Sequence, residues 1–262
     1  MKSSHPSPSF HQIKSFVWHW LLEVDEHSIH SPFFFDLFVK TTSKKERRGI
    51  TQLEQLRADL LKNETQLQVE DFGTGKSGKR TIADIAVASL TPPEFASFYL
   101  ELAHYMESQR VVELGTSLGL TSLYLAQKKE TSVFTFEGCH DIANVALTNF
   151  EWSGKKNIKL IEGNIDQTLP KFLAEHARLD FVLMDANHRY GPTIRYYQML
   201  TKRLWEKSVL IIDDIHRSDE MEKAWKEIRE NIFVYGSIDL YRCGILFFDP
   251  ALNKQHYVWS LK

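Results

Sequence analysis

Apolar positions change their period near Arg110. Before it they recur every three or four residues, as on one face of a helix; after it short apolar runs alternate with amphipathic ones. Ile13, Phe16, Val17, Trp20, Leu21 and Val24 form a one-faced stripe. Docking of that stripe on the chain's own body is favoured over a partner or a membrane surface. Ser31 and Pro32 read as N-cap and first position of a helix over residues 33–39. Residues 50–62 form another, with Leu53, Leu56, Leu60 and Leu61 on one side, and 81–89 a further one. Thr91-Pro92-Pro93-Glu94 reads as a capping box that starts a helix with Phe95, Phe98, Tyr99, Leu102 and Met106 inward.

Beyond Arg110 the pattern predicts strands at 111–114, 132–136, 158–161, 179–184 and 208–212. Helices at 121–127, 142–152, through Phe172 and Leu173, at 192–204 and at 218–229 separate and follow them. Residues 232–240 and 244–248 suit an antiparallel pair, and 257–261 a short edge strand. Such alternation signals a parallel sheet with crossover helices. The expected fold class is α/β: a Rossmann-like, seven-stranded, mostly parallel sheet with helices on both faces and a helical N-terminal extension. The extension is read as residues 1–91, its Ser/Pro-rich start (1–9) disordered, and the main domain as 92–262.

Composition narrows the options. A hydrophobic fraction of 43% in 262 residues supports a substantial core. A net charge of −2 gives no electrostatic case for nucleic acid or an anionic membrane. The basic run at 44–48 reads as a solvated loop. Cys139 and Cys243 lie far apart with no Cys-x-x-Cys, so neither a disulfide framework nor a zinc site is indicated, and the cytoplasm is the expected location. Neither a secretory h-region nor a membrane span is legible.

The chemistry-bearing residues gather at the ends of the expected strands. The first runs into Glu113-x-Gly115-x-x-x-Gly119, a glycine turn followed by a helix. Glycines allow close backbone approach, and a helix start offers free N–H groups. An acid where the dinucleotide fingerprint has its first glycine would repel a pyrophosphate and welcome a cationic amino acid. That favours S-adenosylmethionine (SAM) over NAD, held by Glu113, Gly115, Thr116, Ser117 and Gly119. Glu137, ending the second strand, suits ribose hydroxyls, and Asn164, after the third, suits the edge of adenine. Asp185 and the pair Asp213-Asp214 end the fourth and fifth. Three converging carboxylates suit a hard cation; the plainer alternative is that Asp213 caps a turn and Asp214 is solvated. Residues 73–79 fit G-x-x-x-x-G-K, yet Arg80 stands where a P-loop has Ser or Thr. A glycine-rich loop, or a basic lid over an anionic ligand, competes with a nucleotide loop there.

Three stretches carry a family resemblance: ELGTSLG followed by Glu137, FVLMDANHRYGPT, and IIDDIHRS. They resemble the class I SAM-dependent methyltransferases, and within them the metal-dependent small-molecule O-methyltransferases of a bacterial subgroup with a helical N-terminal extension. The resemblance implies methyl transfer from SAM to an oxygen of a small molecule. It implies Asp185, Asp213 and Asp214 as ligands of Mg2+ or another divalent cation, with Asp185 also beside the cofactor. His188 and His216 are the candidate general bases, and His188 with Asp185 is the expected catalytic pair. Arg189, Tyr190 and Arg217 are candidates for orienting the acceptor. A homodimer is expected, with neither nucleic acid nor membrane as partner. Two alternatives stand beside this reading: an NTPase using the 73–79 loop, and a non-catalytic SAM-binding scaffold.

Overall fold

Side chains alternate across a strand, so a strand buried on both faces must be apolar at every position. Phe181–Met184 (β6) obeys this throughout, and Arg110–Leu114 (β3) and Val209–Asp213 (β7) do so apart from Arg110, Glu113 and Asp213; the three lie at the centre of the sheet. The computed structural model describes residues 9–42, 49–70 and 77–261. Ser132–Glu137 (β4) and Ile158–Glu162 (β5) extend the sheet on one side of β3. Gly236–Asp239 (β8), Cys243–Phe247 (β9) and Gln255–Val258 (β10) extend it on the other. The order is β10-β8-β9-β7-β6-β3-β4-β5, with β9 alone running against the rest. The sheet therefore has eight strands rather than the expected seven. The additional one begins two residues before the expected edge strand and lies parallel to β8.

The alternation divides the core. Val111, Val209 and Ile211 meet Phe34 and Leu37 of Pro32–Thr42 (α2) and Phe98 and Leu102 of Pro93–Tyr105 (α5). Val112, Leu210 and Ile212 face the other way. They meet Leu169 of Ile165–Glu175 (α8), Tyr196 of Tyr190–Leu200 (α9) and Trp225 of Asp219–Arg229 (α10). Thr51–Leu60 (α3) and Ile82–Ser89 (α4) pack in a third cluster with Leu120–Leu125 (α6) and His140–Ser153 (α7). Gln66–Glu70 (β1) and Ser77–Thr81 (β2) pair as an antiparallel hairpin ahead of α4. The capping box expected at Thr91 does not form. Pro92 is the N-cap without a side-chain bond, and the Thr91 hydroxyl accepts from Thr121 instead. The expectations for residues 1–8, the run 44–48 and the loop 71–76 lie outside the described residues. No helix among the described residues is long and apolar enough to cross a membrane.

Phe10–Leu22 (α1) departs from expectation. It meets the body through Ser15 and His19, while Ile13 is 50% and Trp20 65% exposed. Ser15 donates to Glu222 at 2.8 Å, His19 lies against Asp239, and the Tyr241 hydroxyl donates to the Gln12 carbonyl at 2.9 Å. Carboxylates presented by α10 and the end of β8 take donors, and the polar side of α1 supplies some of them. His216 completes this clamp, with Nε2 at 2.8 Å from Asp239 and its ring stacked on Tyr241. Burial alone would lower the His216 pKa, but the bond and charge of Asp239 and the charge of Glu222 outweigh it, and the net shift is upward. The raised pKa makes the clamp's contribution full below the ordinary imidazole value, and it is lost as pH rises through the folded value. Hydrogen exchange in α1 is therefore expected to quicken above that point, and His216→Gln to flatten the dependence.

Candidate active site

The cavity opens where ligands bind in such sheets, outside the carboxyl ends of the strands around the switch in strand order. Here that switch lies between β3 and β6, its two flanking halves being β4-β5 and β7. The cavity's volume is about 450 Å³, within the range of small-molecule sites. Five strand ends contribute: Gly115 and Ser117 after β3, Glu137 of β4, Asn164 after β5, Asp185 to Arg189 after β6, and Asp213 with Asp214 at β7.

The glycine turn follows from sterics. Gly115 has φ +104°, and a Cβ there would lie 2.1 Å from the Asp185 carbonyl oxygen. Gly115→Ala is expected to cost at least about 2 kcal/mol, the strained φ and the clash adding, read as a fall in melting temperature. Ser117, Asn187, His188 and Asp214 also have positive φ. Left-handed backbone in residues with a Cβ is costly, and it concentrates at functional sites.

Of the residues expected to hold the cofactor, Gly115, Ser117, Glu137, Asn164 and Asp185 line the cavity. Glu113, Thr116 and Gly119 do not. Glu113 is 1% exposed, and one of its oxygens accepts from Ser122 of α6 and from Thr135 of β4, the latter at 2.6 Å. Burial pushes its carboxyl up to about 7 despite those two bonds. Glu113 thus staples the loop from beneath. The Thr116 hydroxyl pairs with that of Thr135 at 2.6 Å, and Gly119 caps α6 against Phe150. Glu137 accepts from the N–H groups of Ser117 and Cys139, both at 2.9 Å. Asn164 caps α8 by accepting from the Asp166 N–H at 2.9 Å.

On the opposite wall, His188 lies between Asp185, 3.4 Å from Nε2, and Asp214, 3.8 Å from Nδ1. Burial lowers the His188 pKa, although the charges of Asp214 and Asp213 oppose this. Burial raises Asp185 to about 7, the charge of Asp214 adding and that of Arg242 opposing. His216 lies in the α1 clamp instead of the cavity wall, so of the two candidate bases only His188 is at the site. Tyr190 is also elsewhere, its hydroxyl donating to Glu227 of α10 at 2.5 Å, whereas Arg189 and Arg217 line the cavity.

The three aspartates do not form an open ligand set. Asp213 is 1% exposed and accepts from the Tyr99 hydroxyl at 3.2 Å on one oxygen and from Arg242 at 2.8 Å on the other. Asp214 pairs with Arg217 at 2.9 Å. Among the described residues no group of three or more His, Cys, Asp or Glu is arranged to hold a metal ion. Of the expected set of Asp185, Asp213 and Asp214, two carboxylates are paired with arginines, Asp213 with Arg242 and Asp214 with Arg217.

Sequence reasoning missed Tyr99, Arg242 and the contribution of α4. Tyr99 read as one more apolar position of α5. A single arginine between two apolar strands was the available signal for Arg242. Arg80 of β2 and Ile85, Ala88 and Ser89 of α4 also line the cavity, and the Ser89 hydroxyl pairs with that of Ser117 at 2.6 Å.

Comparison with known proteins agrees with this architecture. Residues 112–215 match a family described as "Methyltransferase domain". The chain is 24% identical over 137 residues to the protein-L-isoaspartate O-methyltransferase of Pyrococcus abyssi, covering 52% of this chain and 63% of the relative. It is 24% identical over 223 residues to the corresponding enzyme of Thermococcus onnurineus, covering 83% and 94%. The match to the first thus spans less than two thirds of that relative's length. Among solved structures, the O-methyltransferase from Bacillus cereus in complex with S-adenosylhomocysteine (SAH) aligns with TM-score 0.57 at 16% identity, over 81% of this chain and 96% of that one. TomG, an O-methyltransferase from Streptomyces achromogenes solved with SAM, aligns with TM-score 0.54 at 15% identity, over 79% and 99%. The fold is that of these enzymes.

Proposed function

We propose that this chain is a SAM-dependent O-methyltransferase acting on a small molecule. The observation that carries the reading is the cavity at the strand ends, with Gly115, Glu137 and Asn164 on one wall and Asp185 with His188 on the other. In this reading the methionine part of SAM lies along the Gly115 turn, Glu137 accepts from the ribose hydroxyls and Asn164 reads adenine. The catalytic domain is taken to start near Pro92, with the preceding segment lending one wall. The location is taken as the cytoplasm.

The reaction is one displacement. His188 takes the proton of the acceptor hydroxyl, an oxygen lone pair forms the O–CH3 bond, and the C–S bond breaks with its electron pair on sulfur. The products are the methyl ether, SAH and a proton on His188. Here the protein supplies alignment, exclusion of water and a base.

An NTPase reading finds less support. Lys79 pairs with Gln68 inside the exposed β1–β2 hairpin, whereas a P-loop lysine sits at the start of a helix. Calorimetry with SAH and with ATP separates the two, saturable SAH binding without ATP binding being expected. Methyl transfer is then read with labelled SAM against a panel of phenols, catechols and sugars, with an isoaspartyl peptide for comparison. SAH binding with no labelled product from any acceptor, with or without added Mg2+, favours the scaffold reading.

A further inference from the structure

The acceptor wall carries organic cations of its own. Asp213 has Arg242, Asp214 has Arg217, and Asp185 has His188. A divalent cation would bring two positive charges to three carboxylates, and two guanidiniums already bring them.

The Arg242 position is built into the fold. In the antiparallel register Asp213 stands opposite Cys243, so the residue before Cys243 reaches the end of β7. Its backbone N–H donates to the Leu240 carbonyl at 2.7 Å, and its carbonyl accepts from Ile215, two residues beyond Asp213, at 3.3 Å. The preceding Tyr241, at φ +63°, makes the tight turn. The guanidinium lies over the Phe95 ring at 5.7 Å and lines the cavity. Tyr99 donates to the second oxygen of Asp213, so each oxygen of that carboxylate already carries one hydrogen bond, one of them from a fixed cation. Asp213's only described hydrogen-bond partners are thus a fixed organic cation and a hydroxyl.

We infer that the guanidinium of Arg242 stands in place of a divalent cation beside Asp213, and that its cavity-facing edge receives the acceptor's oxygen. The placing of the acceptor rests on the methyl-transfer reading; the exclusion of the ion does not. A guanidinium donates hydrogen bonds and holds its charge at any working pH, but it cannot take an oxygen into a coordination shell. The acceptor that fits is a molecule with one acidic hydroxyl, such as a phenol, with His188 alone taking its proton. A vicinal diol gains nothing from chelation here.

The test is a titration with Mn2+ on the full chain in the presence of SAH, following the free-ion electron paramagnetic resonance signal. The wild-type protein is expected to leave that signal unchanged. Arg242→Met, which removes the charge and keeps the stem, is expected to bind Mn2+ about 10- to 100-fold more tightly than wild type. Adding Asp213→Asn to Arg242→Met should abolish that gain. Binding of Mn2+ by the wild type that is lost in Asp213→Asn overturns the inference. So does an Arg242→Met protein that is folded, by its melting curve, yet binds no more Mn2+ than wild type. If Arg242→Met does not fold, the wild type decides alone: broadening of the His188 ring resonances by Mn2+ refutes the inference, and sharp resonances support it. SAH calorimetry on the same samples keeps the questions apart. A wild type that binds neither SAH nor Mn2+ fails as a methyltransferase while leaving the Arg242 assignment standing.

Discussion

Glu137→Ala will bind SAH about 10- to 100-fold more weakly than the wild-type protein, because bonds to a charged acceptor contribute about 1.5–3 kcal/mol each. Two losses combine. The ribose hydroxyls lose their acceptor, and the N–H groups of Ser117 and Cys139 lose theirs, so the loop that shapes the cavity is released as well. Glu137→Gln separates the contributions. Its amide keeps one oxygen for the backbone and presents an NH2 group where a second acceptor is needed, so a smaller loss is expected. Calorimetry with SAH reads both variants without any acceptor being known. An unchanged affinity in Glu137→Ala removes Glu137 from the ribose site.

His188→Ala will slow methyl transfer about 100- to 10,000-fold, the usual contribution of a positioned base, while leaving SAH affinity within about twofold of wild type. The imidazole lies 3.4 Å from Asp185 and 3.8 Å from Asp214, and these acids orient it and would stabilise it once protonated. Burial lowers its pKa, which keeps the ring in the neutral, proton-accepting form near neutral pH. Asp185→Asn is expected to retain more activity, since the asparagine still orients the ring through one hydrogen bond. Single-turnover rates with a saturating acceptor from the panel measure the step directly. Full activity in His188→Ala would mean that the acceptor ionises without help from this residue. His216→Ala is the matching control: His216 belongs to the α1 clamp, so the chemical step should be preserved.

Much of this was legible in the linear pattern. Apolar runs marked β3, β6 and β7 because strands buried on both faces are mostly apolar. Polar residues at the strand ends marked the cavity because ligands bind beyond those ends. Gly115 was legible as a close approach of backbone, and the structure identifies the neighbour as the Asp185 carbonyl.

What period and spacing cannot encode is the partner across the fold. Glu113 looked like a ligand for an ammonium group, yet it turns into the core, where Ser122 and Thr135 hold it. The stripe of α1 looked like a docking face. The helix docks by its polar side because Glu222 and Asp239, far along the chain, demand donors there. Asp213 looked like a metal ligand because its neighbours in sequence are acidic. Its neighbours in space are Tyr99 from α5 and Arg242 from the turn before β9. The sequence by itself determined the layers and the strand ends, because burial periodicity and turn chemistry are local. Which charge meets which was decided only by the tertiary structure, because strand register and helix docking join residues that no local pattern connects.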